Sequence, residues 1–172
     1  MYCLFFYFEK EERKIRLLTS CCHNSKLYLQ YKNFTMNLVS TRIITADVER
    51  LMKFYEKITE ITAVQYTPDF AELQMPNATI AIGSTRTLQL FGGDHVAKPA
   101  FNQSTIIEFL VNDVDQEFER LKDFLSSQIV QKPTVMPWGN KSLLFRDPDE
   151  NLVNFFTPVS KEAMEKFKSK MV

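Results

Sequence analysis

Residues Met136 to Pro158 read MPWGNKSLLFRDPDENLVNFFTP. Ser142 to Arg146 and Leu152 to Phe156 have the alternation of two strands, and the five residues between them have the chemistry of a turn. Asp147 offers a carboxylate to nearby backbone amides, Pro148 arrives with φ preset near −65°, and Asn151 tolerates the left-handed region. The stretch therefore predicts an antiparallel hairpin. With glutamate at position 150, the positive-φ residue must fall at Asn151, or Glu150 must be strained.

Working back from the hairpin, the chain shows one pattern twice. Leu38 to Thr45 alternates as a strand, and Asp47 is placed to cap a helix over Val48 to Ile58, where Val48, Leu51, Met52 and Tyr55 fall at helical spacing. Ile61 to Thr67, Ala71 to Met75, Thr79 to Gly83 and Thr87 to Phe91 read as short strands, divided by Pro68-Asp69, Pro76-Asn77 and Ser84. A connecting loop runs from Gly92 to Asn102. Ser104 to Val111 is again a strand and Asp113 again a cap, ahead of a helix carrying Val114, Phe118, Leu121 and Phe124. The openings Thr45-Ala46-Asp47-Val48 and Val111-Asn112-Asp113-Val114 lie 66 residues apart, and internal duplication is the simplest account. Val159 to Lys170 closes the chain as a helix.

Three segments carry a family resemblance: ADVERLMKFY in the first opening, TLQLFGG, and PWGN running through LLFRDPDEN in the hairpin. Over Leu38 to Pro158 the chain resembles the vicinal-oxygen-chelate superfamily of glyoxalases, ring-cleaving dioxygenases, fosfomycin-resistance enzymes and bleomycin-binding proteins. That family usually has DPDGN where this chain has DPDEN. The resemblance implies an α+β fold of two βαβββ modules, about 37–92 and 103–158, forming a curved mixed sheet around a cleft, with a C-terminal helix added. It also implies homodimers in which modules complete each other's clefts.

In metal-dependent members, His and Glu ligands sit on the first and last strand of each module. Aligning the Asp-capped openings puts those positions at Ser40, Gln89, Ile106 and Asn154. None is His, Asp or Glu, and two neutral amides with a hydroxyl do not compensate a divalent charge in a partly dry cleft. No metal and no cofactor is expected. Alternation puts Ser40, Arg42 and Ile44 on one face and Ile106, Glu108 and Leu110 on the matching face of the repeat, so Arg42 and Glu108 are quasi-equivalent. The two either pair with each other, orient a polar ligand, or stand in water at a strand end. Trp138 and Phe145 are candidates to stack on a flat ligand, or else core aromatics. His95 reads as a solvated loop residue, and no Ser or Cys nucleophile is tied to it by motif, so no catalytic residue is assigned.

Composition bounds the remaining possibilities. The chain has 172 residues, of which 45% are hydrophobic and 24% charged, with zero formal net charge; this suits one globular domain. No basic patch favours nucleic acid, and no apolar run approaches the roughly 20 residues that span a bilayer. Residues 1–35 stand apart: they hold all three cysteines and six Lys/Arg against three Asp/Glu, while every Gly and Pro falls later. They read either as lying ahead of a biological start at Met36 or as a loosely attached appendage to a domain over 36–172. Cys21, Cys22 and His23 lack a second ligand pair at zinc-like spacing. A cysteine-free domain fits a reducing cytoplasm. Two function classes follow. One is a metal-free protein that sequesters an apolar or aromatic small molecule, with Ser40, Arg42, Gln89, Glu108, Trp138, Phe145 and Asn154 as binding candidates. The other is a superfamily enzyme with an atypical site, such as a lyase, isomerase, thiol transferase or extradiol-type dioxygenase; the missing ligands favour the first.

Overall fold

The computed structural model describes residues 36–93 and 95–170, and the expectations for residues 1–35 and Asp94 lie outside them. β1 (Ser40–Thr45) leads through the Asp47 cap, whose side chain accepts from the Arg50 amide, into α1 (Val48–Thr59). β2 (Val64–Thr67), β3 (Phe70–Gln74) and β4 (Thr79–Ser84) complete the first module. The second repeats it with β5 (Ile106–Leu110), α2 (Val114–Leu125), β6 (Ile129–Val135), β7 (Asn140–Arg146) and β8 (Leu152–Pro158), and Asp113 caps α2 through the amides of Asp115 and Gln116. The sheets have orders β1-β4-β3-β2 and β5-β8-β7-β6. In each, the first strand is an edge paired in parallel to the last, and the remaining pairs are antiparallel. This is the α+β arrangement of two βαβββ modules, and α3 (Lys161–Phe167) follows it.

One face of each sheet packs on the helices. Ile43, Leu73, Ile80 and Ile82 from the first sheet, and Leu143, Phe145, Val153 and Phe155 from the second, join Leu51, Tyr55, Leu121 and Leu125 of the helices in one continuous core. Polar bonds also tie the modules together. The Arg120 guanidinium on α2 donates to the carbonyls of Lys57 (3.1 Å) and Ile58 (2.7 Å) at the end of α1. The Tyr55 hydroxyl donates to Asp147 in the second hairpin at 2.9 Å, and Arg50 pairs with Asp149 in the same turn.

The structure overturns one expected strand, adds a strand that the sequence pattern hides, and realises the strained alternative in the hairpin turn. Thr87 to Phe91 is not a strand: Thr85–Phe91 is a 3₁₀ helix, opened by Ser84, whose side chain accepts from the Arg86 amide, and closed by Gly92 at φ 109°. The Ser84 hydroxyl and carbonyl draw the chain into a turn, the carbonyl accepting from the Thr87 hydroxyl at 2.7 Å, and local bonds of this kind compete with a ladder. β6 carries no clear alternation in the sequence, because Pro133 interrupts its pattern. The register with β7 shifts between Gln131 and Thr134, and an edge strand with a bulge accommodates a residue that has no amide hydrogen. In the hairpin turn it is Glu150, at φ 66°, that takes the left-handed conformation. Asn151 is instead drawn toward Asp147, donating its backbone and side-chain N–H to that carboxylate, both at 2.9 Å.

α3 folds back over the second sheet on the side away from α1 and α2. Phe167, at the end of α3, meets Phe156 with ring centroids 5.1 Å apart. The approach depends on Gly139 at φ 88°, where a Cβ would lie 2.3 Å from Ser160 Oγ.

Candidate functional site

The faces turned away from α1 and α2 carry the candidate residues. On β1 the inward residues Ile43 and Thr45 are buried and Ser40 and Arg42 are exposed, so alternation puts Ser40, Arg42 and Ile44 on the open face. Arg42 reaches over β4, its guanidinium 4.9 Å from the Phe70 ring centroid and 5.6 Å from that of Phe91. Gly83 lies under this path: a Cβ there would touch Arg42 Cδ at 3.6 Å and crowd Thr87 Oγ1 at 3.1 Å. Arg42 has no carboxylate partner among the described residues. A guanidinium resting on two aromatic faces keeps its in-plane N–H donors available to an incoming anion or carbonyl.

Arg42 and Ile44 also line a cavity of about 300 Å³, together with Lys98, Asn102, Ile107 and Asn151. It lies where β1, β5 and the 97–102 loop meet. Its walls are mostly aliphatic and its charged residues are the cations Arg42 and Lys98. The size is at the lower end of small-molecule sites.

Across the repeat, Glu108 is an exposed residue on β5 opposite Asn154 on β8. Asn154 Nδ2 donates to Glu108 Oε1 at 2.9 Å. Asn154 is 9% exposed and Ser142 4%, and Asn154 Oδ1, Ser142 Oγ and Asn140 Oδ1 are buried without a hydrogen-bond partner. Glu108 does not pair with Arg42, and among the described residues it makes no ion pair. The structure therefore brings Glu108 and Asn154 together and leaves Arg42 apart from them. Ser142 and Asn140 join them without being sequence candidates; alternation in β7 is the signal that sets both on the face of Asn154.

The other candidates fall elsewhere. Phe145 is fully buried, with its ring against Phe54 and Phe155, so the structure places it in the core. Trp138 is 67% exposed in the turn between β6 and β7. Ser40 is an exposed residue at the start of β1, opposite Thr79. Gln89 stands on the 3₁₀ helix rather than a strand. His95 and Lys98 are exposed on the loop before β5.

The positions expected to match the family's ligands do not converge as a set of donors among the described residues. Ile106 has no donor atom, Gln89 has left the sheet, and Asn154 turns its N–H toward Glu108. Among the described residues no three His, Cys, Asp or Glu side chains group to hold a metal ion. Two perturbed titratable groups, Tyr55 and Asp147, belong to the link between the modules. Burial raises the Tyr55 phenol well above its ordinary value, and the Asp147 charge adds to it. Burial also pushes the Asp147 carboxyl up, against the hydrogen bonds from Asn151, Tyr55 and Asp149.

With this geometry in view, the chain belongs to the Glyoxalase/Bleomycin resistance protein/Dioxygenase superfamily, whose family model matches residues 37–155. Solved structures share the fold. A glyoxalase/bleomycin resistance protein/dioxygenase from Nocardioides is 18% identical with a TM-score of 0.63, the match covering 74% of this chain and 86% of that one. A family enzyme from Burkholderia phytofirmans PsJN is 13% identical with a TM-score of 0.65, covering 72% and 100%. A glyoxalase-related enzyme from Fulvimarina pelagi is 20% identical with a TM-score of 0.61, covering 72% and 88%. No curated protein matches the chain. No helix among the described residues is long and apolar enough to cross a membrane.

Proposed function

We propose that the domain binds a small organic molecule, apolar or aromatic over most of its surface and carrying an anionic or carbonyl group, without a metal ion. The observation that carries this reading is Arg42. It is a cation with no carboxylate partner among the described residues, held on the rings of Phe70 and Phe91 at the edge of an aliphatic cavity. A binding protein needs no more than such a cavity and a few convergent polar groups.

Exposed Leu90, Phe91 and Phe101, with the open edges of β1 and β5, suit a homodimer. We assign binding to residues 36–172, with residues 1–35 as an appendage. The cytoplasm suits a domain whose chain has no cysteine beyond Cys22. Removing residues 1–35 should therefore move the unfolding midpoint by less than about 4 °C.

Native mass spectrometry of protein purified from cells tests the reading. The expected spectrum is a dimer near twice 20.1 kDa carrying an organic adduct that Arg42→Ala loses. A stoichiometric metal mass removed by chelator would overturn it, and would favour a superfamily enzyme instead.

A further inference from the structure

We propose that the face of the second sheet turned away from α1 and α2 holds an ammonium subsite, formed by Glu108, Asn154 and Ser142, for a primary amine with a short apolar arm. This rests on the reading that the domain binds a small molecule, and adds a second group that the molecule presents.

The hydrogen-bond inventory carries the argument. An ionised carboxylate only accepts, so Asn154 must turn its NH₂ toward Glu108, as it does at 2.9 Å. Its carbonyl Oδ1 is thereby fixed as an unsatisfied acceptor on a residue only 9% exposed. Ser142, 4% exposed, leaves Oγ without a partner on the neighbouring strand, and Asn140 Oδ1 is a further orphan two residues along β7. Register relates them: Glu108 lies opposite Asn154 on β5 and β8, while Leu144 lies opposite Asn154 and Ser142 opposite Phe156 on β7 and β8. Asn154 and Ser142 are thus diagonal neighbours about 7–8 Å apart, near enough for one ligand to reach.

Buried acceptors without donors are costly and call for donors. An ammonium brings three N–H groups and a positive charge to a carboxylate that forms no ion pair among the described residues. Leu144 lies on the same face, opposite Asn154, and Phe167 packs on Phe156 beside it, so the acceptors stand in apolar surroundings that suit an alkyl or aryl arm. An anion at this place would meet Glu108 and two amide oxygens, all repulsive.

The test uses the full chain, isotopically labelled, with three probes of one shape at neutral pH: 2-phenylethylammonium, 2-phenylethanol and 3-phenylpropanoate. The Asn154 and Asn140 side-chain amides and the Ile44 and Ile107 methyls are followed by NMR. The ammonium is expected to shift both amides and to bind at least about tenfold more tightly there than the alcohol. Glu108→Gln is expected to bring the two within about twofold. Ser142→Ala, a smaller change in the same subsite, should cost the ammonium about threefold. An alcohol that binds as well as the ammonium, amide signals that do not respond, or a preference that survives Glu108→Gln would each overturn the subsite. If 3-phenylpropanoate meanwhile shifts Ile44 and Ile107, binding at the Arg42 cavity stands without the ammonium subsite; silence from all three probes removes both.

Discussion

Tyr55 and Asp147 are 92 residues apart and share a 2.9 Å hydrogen bond, in which the last full turn of α1 holds the turn between β7 and β8. Asp147 also accepts from the backbone amides of Asp149 and Asn151 and from the Asn151 side chain. One carboxylate thus fixes the conformation of the second hairpin and fastens it to the first module.

Tyr55→Phe should cost about 1.5–3 kcal/mol at neutral pH, lowering the unfolding midpoint by roughly 4–10 °C, since a charged hydrogen bond is lost at a fully buried position. The pH dependence has a definite sign. The Tyr55 pKa is higher folded than unfolded, so the native state keeps its proton after the unfolded chain releases it. The stabilisation is complete below the ordinary value of 10.0 and is lost as pH rises past it. Chemical denaturation of both proteins above pH 10 should show wild type losing stability more steeply than Tyr55→Phe; parallel curves would contradict the assignment.

Glu150→Gly should stabilise the protein. Glu150 sits at φ 66°, a region that costs a residue with a side chain roughly 1 kcal/mol and glycine nothing. Its carboxylate contact with Arg146, at 3.6 Å between exposed groups, offsets little of that. A rise in the midpoint of about 1–4 °C is expected by calorimetry.

Arg42→Ala should weaken binding of 3-phenylpropanoate by about 1.5–3 kcal/mol. Gly83→Val should reproduce part of that loss while Arg42 is retained, because the branches beyond a Cβ that already touches Arg42 Cδ at 3.6 Å would press on the side chain that rests on Phe70. Calorimetric titration of both variants checks this. Unchanged affinity in Gly83→Val would separate Arg42's position over Phe70 from binding.

Zn²⁺, Ni²⁺, Mn²⁺ and Fe²⁺ should leave the unfolding midpoint where it is. A specific ion at one hundred times its dissociation constant would stabilise by about 2.7 kcal/mol, so a chelator-reversible shift of several degrees is the contrary result.

The sequence made the modules legible because their signals are local: an Asp cap ahead of a 3.6-residue stripe, and a Pro-bearing turn between alternating strands. Where two local signals competed, the reading failed. Thr87 to Phe91 alternates like a strand, but Ser84 and Gly92 terminate it as a helix at both ends. Phe145 has an aromatic's usual ambiguity, and only register with Val153 on β8 sets it inward. Alternation alone gave the face of Arg42 and Glu108. What each of them touches depends on strands contributed from far along the chain, Phe70 and Phe91 for one and Asn154 for the other, and no spacing in the sequence states that.

Arg42 and Glu108 each occupy the third residue of the first strand in their module. A doubled scaffold begins with matching halves, and a ligand lying across it would have two equivalent orientations. Opposite charges at corresponding places remove that equivalence. The duplicated frame thereby acquires a head and a tail, one marked by a guanidinium and the other by a carboxylate.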